Sequence, residues 1–230
     1  MVLGIVVRLI VNNRVFQKKL DEVKGFLSKM EKKGLFIVLD GIDGCGSTTH
    51  SRILAEHLKV QNYKVHLTHE PTDTDLGILI RKYLKDKTIP SYTDALLFAA
   101  DRALHYFTEI QKKLDEGYIV ISDRYKESSI VYQSLQSEEI TVEWVKKINK
   151  FVGKPDITII LDIDPKLSLA RKHNMDLEKF EDIKFLKEVR RVFLERAEEE
   201  NYYVISSDDI IELVQTKIQK IVDEEINRIL

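Results

Sequence analysis

The chain has 230 residues, 43% of them hydrophobic, with a formal net charge of −2, one cysteine and six histidines. That length and apolar fraction suit one large α/β domain, or at most two small ones, and the near-neutral charge carries no basic footprint for nucleic acid. A single cysteine, Cys45, excludes an internal disulfide, and the histidines show no metal-ligand spacing, so zinc is not expected and His50 and His57 read as helix-surface residues. Charged residues reach 32%, against about 25% in an ordinary soluble domain. Lys/Glu enrichment of this kind, with much isoleucine, points to a thermophile.

The first eleven residues, MVLGIVVRLIV, are apolar apart from Arg8. They fall short of the roughly 20 residues of a membrane span, and no small-residue cleavage site follows, so neither a span nor a secretory signal is expected. Phe16, Leu20, Val23, Leu27 and Met30 then recur at helical spacing among Lys18, Lys19, Lys24 and Lys29. Such a helix packs on the body of the protein or lies on a membrane or partner, and Met30 offers an alternative start. Residues 1–33 are therefore set apart as an N-terminal extension, strand or helix, ahead of a domain over 34–230. A cytoplasmic protein is expected.

The next stretch, LFIVLDGIDGCGSTTHSRI, organises the rest. Leu35 to Leu39 form an apolar run closed by Asp40, as in a strand buried on both faces. Gly41, Gly44 and Gly46 follow, and Ser47, Thr48 and Thr49 open a helical pattern through Ile53, Leu54 and Leu58. Strand, glycine turn and helix N-terminus together make an anion site, because backbone N–H groups converge and the helix dipole adds positive potential. The spacing is that of the phosphate loop G-x-x-x-x-G-K-[ST], except that Ser47 stands where the lysine belongs.

Further along, short apolar runs alternate with helical patterns. The expected strands are Leu35–Asp40, Lys64–Thr68, Tyr118–Ser122, Asp156–Asp162 and Tyr202–Ser206, with a last amphipathic helix carrying Ile211, Val214, Ile218, Val222 and Ile229. This order predicts a parallel sheet covered by helices on both faces, whose strand C-termini share one edge where ligands bind. The polar residues gather there: Asp40 and the glycine loop, then His69 and Glu70, then Asp123 and Arg124, then Asp162 and Asp164. Any one of these could be a strand cap; four at one edge beside a phosphate loop point to an active site.

The order of motifs resembles the thymidylate kinase family of nucleoside monophosphate kinases, from about Gly34 to the C-terminus. FIVLDGIDGCGSTTH resembles its phosphate loop and HEPTDTDLGILIRKYL its Glu-Pro segment; LLFAADRALH, ISDRYKESSIVYQS, PDITIILDID and FEDIKFLKEVRRVFLERA follow in the family's order. The resemblance implies a P-loop NTPase fold with a five-stranded parallel sheet and a helical lid, assembled as a homodimer. It implies ATP and dTMP as substrates, Mg2+ as cofactor, and neither nucleic acid nor membrane as partner.

Residue roles follow from the same resemblance. Gly41, Ile42, Asp43, Gly44, Cys45, Gly46, Ser47, Thr48 and Thr49 would hold ATP. Phe98 would stack on the thymine, although periodicity alone makes it a core aromatic. Arg102 would bond a base carbonyl, and Arg124 would grip the acceptor phosphate through its planar fork. Thr48 and Asp123 would serve the magnesium; the alternative is that Asp123 and Arg124 bridge each other. Asp43 would accept from the 3′-hydroxyl, Tyr132 and Gln133 would surround the nucleoside, and His69 and Glu70 would lie on the acceptor side. Asp43, Asp123, Arg124 and the lid's Arg171 form the catalytic set.

Two departures stand out. Ser47 brings no charge to the β- and γ-phosphates. The expected reading is a kinase in which another cation takes that role, with Lys126, Arg171 or Lys172, and Lys32 or Lys33 as candidates. The alternatives are a kinase for another nucleoside monophosphate or a catalytically weak nucleotide-binding protein. His69 stands where the family commonly has arginine, and a neutral imidazole holds a phosphate less well.

Overall fold

A computed structural model describes residues 34–86, 88–171 and 182–229. The N-terminal extension, the lid stretch 172–181 with Lys172 and Lys179, and Lys32 and Lys33 lie outside these residues. Five strands, β1 (Leu35–Gly41), β2 (Val65–His69), β3 (Ile119–Asp123), β4 (Ile157–Asp162) and β5 (Tyr203–Ser206), form one sheet. They run parallel in the order β2-β3-β1-β4-β5. The expected strands therefore all form, with ends displaced by about one residue.

Nine helices connect and flank them among the described residues: α1 (Ser47–Val60), α2 (Asp75–Leu84), α3 (Ser91–His105), α4 (Gln111–Asp115), α5 (Lys126–Ser134), α6 (Val142–Ile148), α7 (Pro165–Arg171), α8 (Ile183–Glu200) and α9 (Ile211–Ile229). A π-helical turn, Tyr106–Ile110, joins α3 to α4. Thr74, Thr141 and Asp182 cap α2, α6 and α8 with side-chain oxygens, satisfying N–H groups that a helix start leaves bare.

Every residue of β1 is buried, because both sheet faces are covered. Leu35, Ile37 and Leu39 point to a core shared with Leu54 and Leu58 of α1, Phe193 of α8 and Ile218 and Val222 of α9. Phe36 and Val38 point the other way, onto Ile110, Val120 and Tyr125. Burying each such side chain contributes about 1.5–3 kcal/mol, which makes β1 the fixed reference of the sheet. β3 lies on one side of β1 and β4 on the other. The connection after β1 runs to β2 on one side while that after β3 crosses to β4 on the other, and a crevice opens at the strand C-termini.

Candidate active site

The loop after β1 is built to present backbone. Gly44 and Gly46 have φ of 78° and 93°, the left-handed region where a Cβ is strained. At Gly44 a Cβ would also lie 2.7 Å from the carbonyl oxygen of Ser168 in α7. The loop is pinned on both flanks: the Asp43 N–H donates to the Tyr132 hydroxyl at 3.0 Å, and the Ser168 hydroxyl donates to the Asp43 carbonyl. Ser47 is the first residue of α1 and is 5% exposed, so its side chain stays inside the loop.

Thr48, one residue on, donates its hydroxyl to Asp123 Oδ2 at the end of β3. The other oxygen, Asp123 Oδ1, is buried without a hydrogen-bond partner. A bare carboxylate oxygen beside a hydroxyl fits Mg2+, a hard cation that takes one or two protein oxygens and fills its shell with water and phosphate. Among the described residues no group of three or more His, Cys, Asp or Glu could hold a metal ion. Asp123 and Arg124 do not bridge each other. Arg124 turns to Asp43, with Nη2 2.6 Å from Oδ1, while its Nη1 donates to the Gly41 carbonyl and to Ser128 Oγ, each at 3.0 Å.

Beside the loop lies a cleft of about 210 Å³, lined by Asp43, Arg81, Phe98, Arg124, Tyr132 and Gln133 together with Pro71 and Leu84. Phe98 is partly buried against the main core and also lines the cleft. Gln133 is 2% exposed, and its Oε1 has no partner. The Arg124 guanidinium lies 5.8 Å from the centre of the Tyr132 ring. Burial opposes its charge, but Asp43, Tyr132 and Asp40 hold its pKa well above the ordinary value.

Three expected acceptor-side residues sit elsewhere. Arg102 is 1% exposed and does not line the cleft. Its guanidinium donates to Glu70 Oε2 at 2.7 Å, Asn149 Oδ1 at 2.7 Å and the Tyr125 carbonyl at 3.2 Å. Glu70 is buried with it and also meets His105 at 3.1 Å. This is a buried ion pair behind the cleft wall, as a charged group in the interior requires. His69 faces a separate hollow with Thr68, Thr72, Asp73 and Glu109. The cation that lines the cleft at this side is Arg81 of α2, fixed by the Thr72 and Pro71 carbonyls at 2.6 and 2.5 Å and 3.4 Å from His69 Nε2. Sequence reading missed Arg81, because an arginine in IRKYL has the spacing of an ordinary helix surface.

On the far side of the loop a second cavity, about 420 Å³, is lined by Gly46, Thr49, His50, Arg171, Asp209 and Ile210 among others. Arg171 Nη2 donates to the Ser207 carbonyl at 2.8 Å, which holds the side chain at this wall. His50 is not on a helix surface. It is 4% exposed, its Nδ1 bonds Gln215 Oε1 of α9 at 2.8 Å, and burial pushes its pKa down. Lys126 is partly buried, its pKa lowered by burial, and its charged neighbours are Glu127, Glu200, Lys154 and Arg102, none of them in the loop.

Residues 39–218 match the family model for thymidylate kinase. A probable thymidylate kinase of Pyrobaculum aerophilum is 43% identical over 194 residues, covering 80% of this chain and 98% of that one. One from Pyrobaculum calidifontis is 46% identical over 175 residues, covering 75% and 88%. Another, from Staphylothermus marinus, is 39% identical over 199 residues, covering 85% and 98%.

Proposed function

We propose that this chain, which belongs to the thymidylate kinase family, transfers the γ-phosphoryl group of ATP to the phosphate of dTMP, giving dTDP and ADP. The carrying observation is the cleft beside the loop. It offers an aromatic face at Phe98, two guanidinium groups at Arg81 and Arg124, and a buried unpartnered acceptor at Gln133 Oε1. A thymine or uracil monophosphate satisfies all three: its ring stacks on Phe98, its imide N–H donates to Gln133, and its phosphate meets the arginines. A buried acceptor left bare costs about 1–3 kcal/mol, so a ligand that donates there gains selectivity.

ATP would lie across the loop, its phosphates on the amides of Gly41–Thr49 and the rest of the nucleotide toward the Ile210 and Ile211 side of the neighbouring cavity. Thr48 and Asp123 would hold Mg2+, which when bound neutralises charge on the transferring phosphates. Arg124 would bridge toward the acceptor phosphate, with Asp43 orienting it and accepting from the 3′-hydroxyl. Arg171 would supply the cation that Ser47 lacks, being the described basic residue that shares a cavity with Gly46 and Thr49. In the transfer, an acceptor phosphate oxygen forms the new P–O bond and the β–γ bridging oxygen leaves on ADP.

A homodimer is proposed through α3 and the π turn, where Leu96, Leu104 and Phe107 are 51%, 41% and 54% exposed. Light scattering on a size-exclusion column tests it, and a monomer at all concentrations removes it. The test of function is a coupled assay of ADP release with ATP and a panel of nucleoside monophosphates. Turnover with dTMP is expected. Turnover confined to another monophosphate would change the acceptor, and nucleotide binding without product would leave a binding protein.

A further inference from the structure

We propose that Asp40 is a positioning residue for this reaction: through Ser128 and Gly41 it sets the Arg124 guanidinium at the cleft. The proposal rests on the kinase reading above. Asp40 ends the apolar run of β1 and is fully buried. Its Oδ1 accepts from the Gly41 N–H at 2.9 Å and the Ser128 hydroxyl at 2.6 Å. Its Oδ2 accepts from the Ser128 N–H at 3.0 Å and the Tyr125 N–H at 3.4 Å. One carboxylate thus ties the first residue of the phosphate loop to the start of α5.

Arg124 lies between those two anchored points. Its φ of 69° is a left-handed conformation that an arginine does not choose unaided. Its Nη1 donates to Ser128 Oγ, the hydroxyl that Asp40 holds from the other side, and to the carbonyl of Gly41, whose N–H Asp40 holds. A serine hydroxyl has one proton and two lone pairs. Because its proton goes to Asp40, its lone pairs face Arg124, and the guanidinium receives an acceptor rather than a competing donor. Asp40 Oδ1 is itself 3.8 Å from Nη1, so its charge adds a direct pull. Asp40 does not line the cleft and would touch neither substrate.

Ser128→Ala removes the relay and leaves Asp40 buried and capped by backbone, whereas Ser128→Thr restores the hydroxyl. A misplaced reacting group commonly costs up to about 10²-fold. Ser128→Ala is therefore expected to lower kcat about 10- to 100-fold with a smaller change in the KM for dTMP, and Ser128→Thr to stay within about threefold of the parent. In substrate-free protein the Arg124 side-chain Nε–H resonance is expected to shift in Ser128→Ala and to stay in place in Ser128→Thr. Because Ser128 itself lines the cleft, an unmoved Arg124 resonance in Ser128→Ala overturns the proposal whatever happens to kcat, and a parent-like kcat overturns it as well. The resonance needs no turnover: if no monophosphate is phosphorylated, the kinase reading falls, and the resonance alone decides whether Asp40 and Ser128 place Arg124.

Discussion

The sharpest prediction concerns the charge that Ser47 does not bring. If Arg171 replaces the lysine, removing it exposes the loss. One unit charge about 4 Å from another at an effective dielectric near 20 is worth about 4 kcal/mol, and deleting a well-placed electrostatic group from an active site typically costs about 10²–10³ in rate. Arg171→Ala is therefore expected to lower kcat by about that factor with saturating dTMP and magnesium–ATP. Ser47 opens α1 inside the loop, so Ser47→Lys puts an ammonium where the motif pattern has one. In the Arg171→Ala background Ser47→Lys should recover at least about tenfold; in the parent it should gain much less, because the charge is already present. The cycle is read by steady-state coupled assay and by single-turnover quench, which separates chemistry from product release. Equal effects of Ser47→Lys in both backgrounds would mean that the two charges do not substitute for each other. That outcome, or an Arg171→Ala variant that keeps kcat within about threefold, refutes the assignment.

Thr48→Ala and Asp123→Asn should each raise the Mg2+ concentration for half-maximal activity by about tenfold or more; an unchanged magnesium titration would remove both from the metal site. Arg102→Met should destabilise the protein by about 3–5 kcal/mol in urea unfolding, because Glu70 is left buried and unpaired, while adding Glu70→Gln should recover most of that loss. Burial pushes the Asp40 carboxyl from an ordinary 3.8 up to about 6. Between those values the folded state binds a proton that the unfolded state has released, so stability falls as pH rises from about 4 to about 6. A shift of about two units corresponds to about 3 kcal/mol. Asp40→Asn should flatten that part of the pH–stability curve, and an unchanged curve would place the titration elsewhere.

The strands were legible because each buried parallel strand must be apolar on both faces and must end in a polar turn, so the signal is local. Leu35–Gly41 and Ile157–Asp162 carry it without interruption. The surroundings of Thr48, Asp123 and Arg124 were legible for a related reason: residues at strand C-termini share an edge whatever the helices do. The polar interior was not legible. His50 is buried because Gln215, 165 residues later, meets its ring, and Arg102 because Glu70 and Asn149 meet its guanidinium from two other elements. A side chain inside a helical pattern carries no local mark of which partner will neutralise it. Asp40 was visible as a strand end, but its bond to Ser128, 88 residues away, was not.

The cations at the site differ in how they are held, and that difference bears on order of events. Arg171 is fixed by the Ser207 carbonyl, and Arg81 by the Pro71 and Thr72 carbonyls with the exposed Asp73 3.3 Å away. Carbonyl dipoles orient a guanidinium without cancelling its charge, so Arg171 faces its cavity with most of its positive potential intact, and at Arg81 the offset comes from a solvent-screened Asp73. Arg124 is held by a full carboxylate, Asp43, whose own side chain is only 20% exposed. Its charge is partly spent until a phosphate competes for the guanidinium and a substrate hydroxyl engages Asp43. On the proposed reading the acceptor therefore brings both groups that loosen the Asp43–Arg124 pair. Arg124 is then released by the substrate that uses it, while Arg81 and Arg171 do the initial capture.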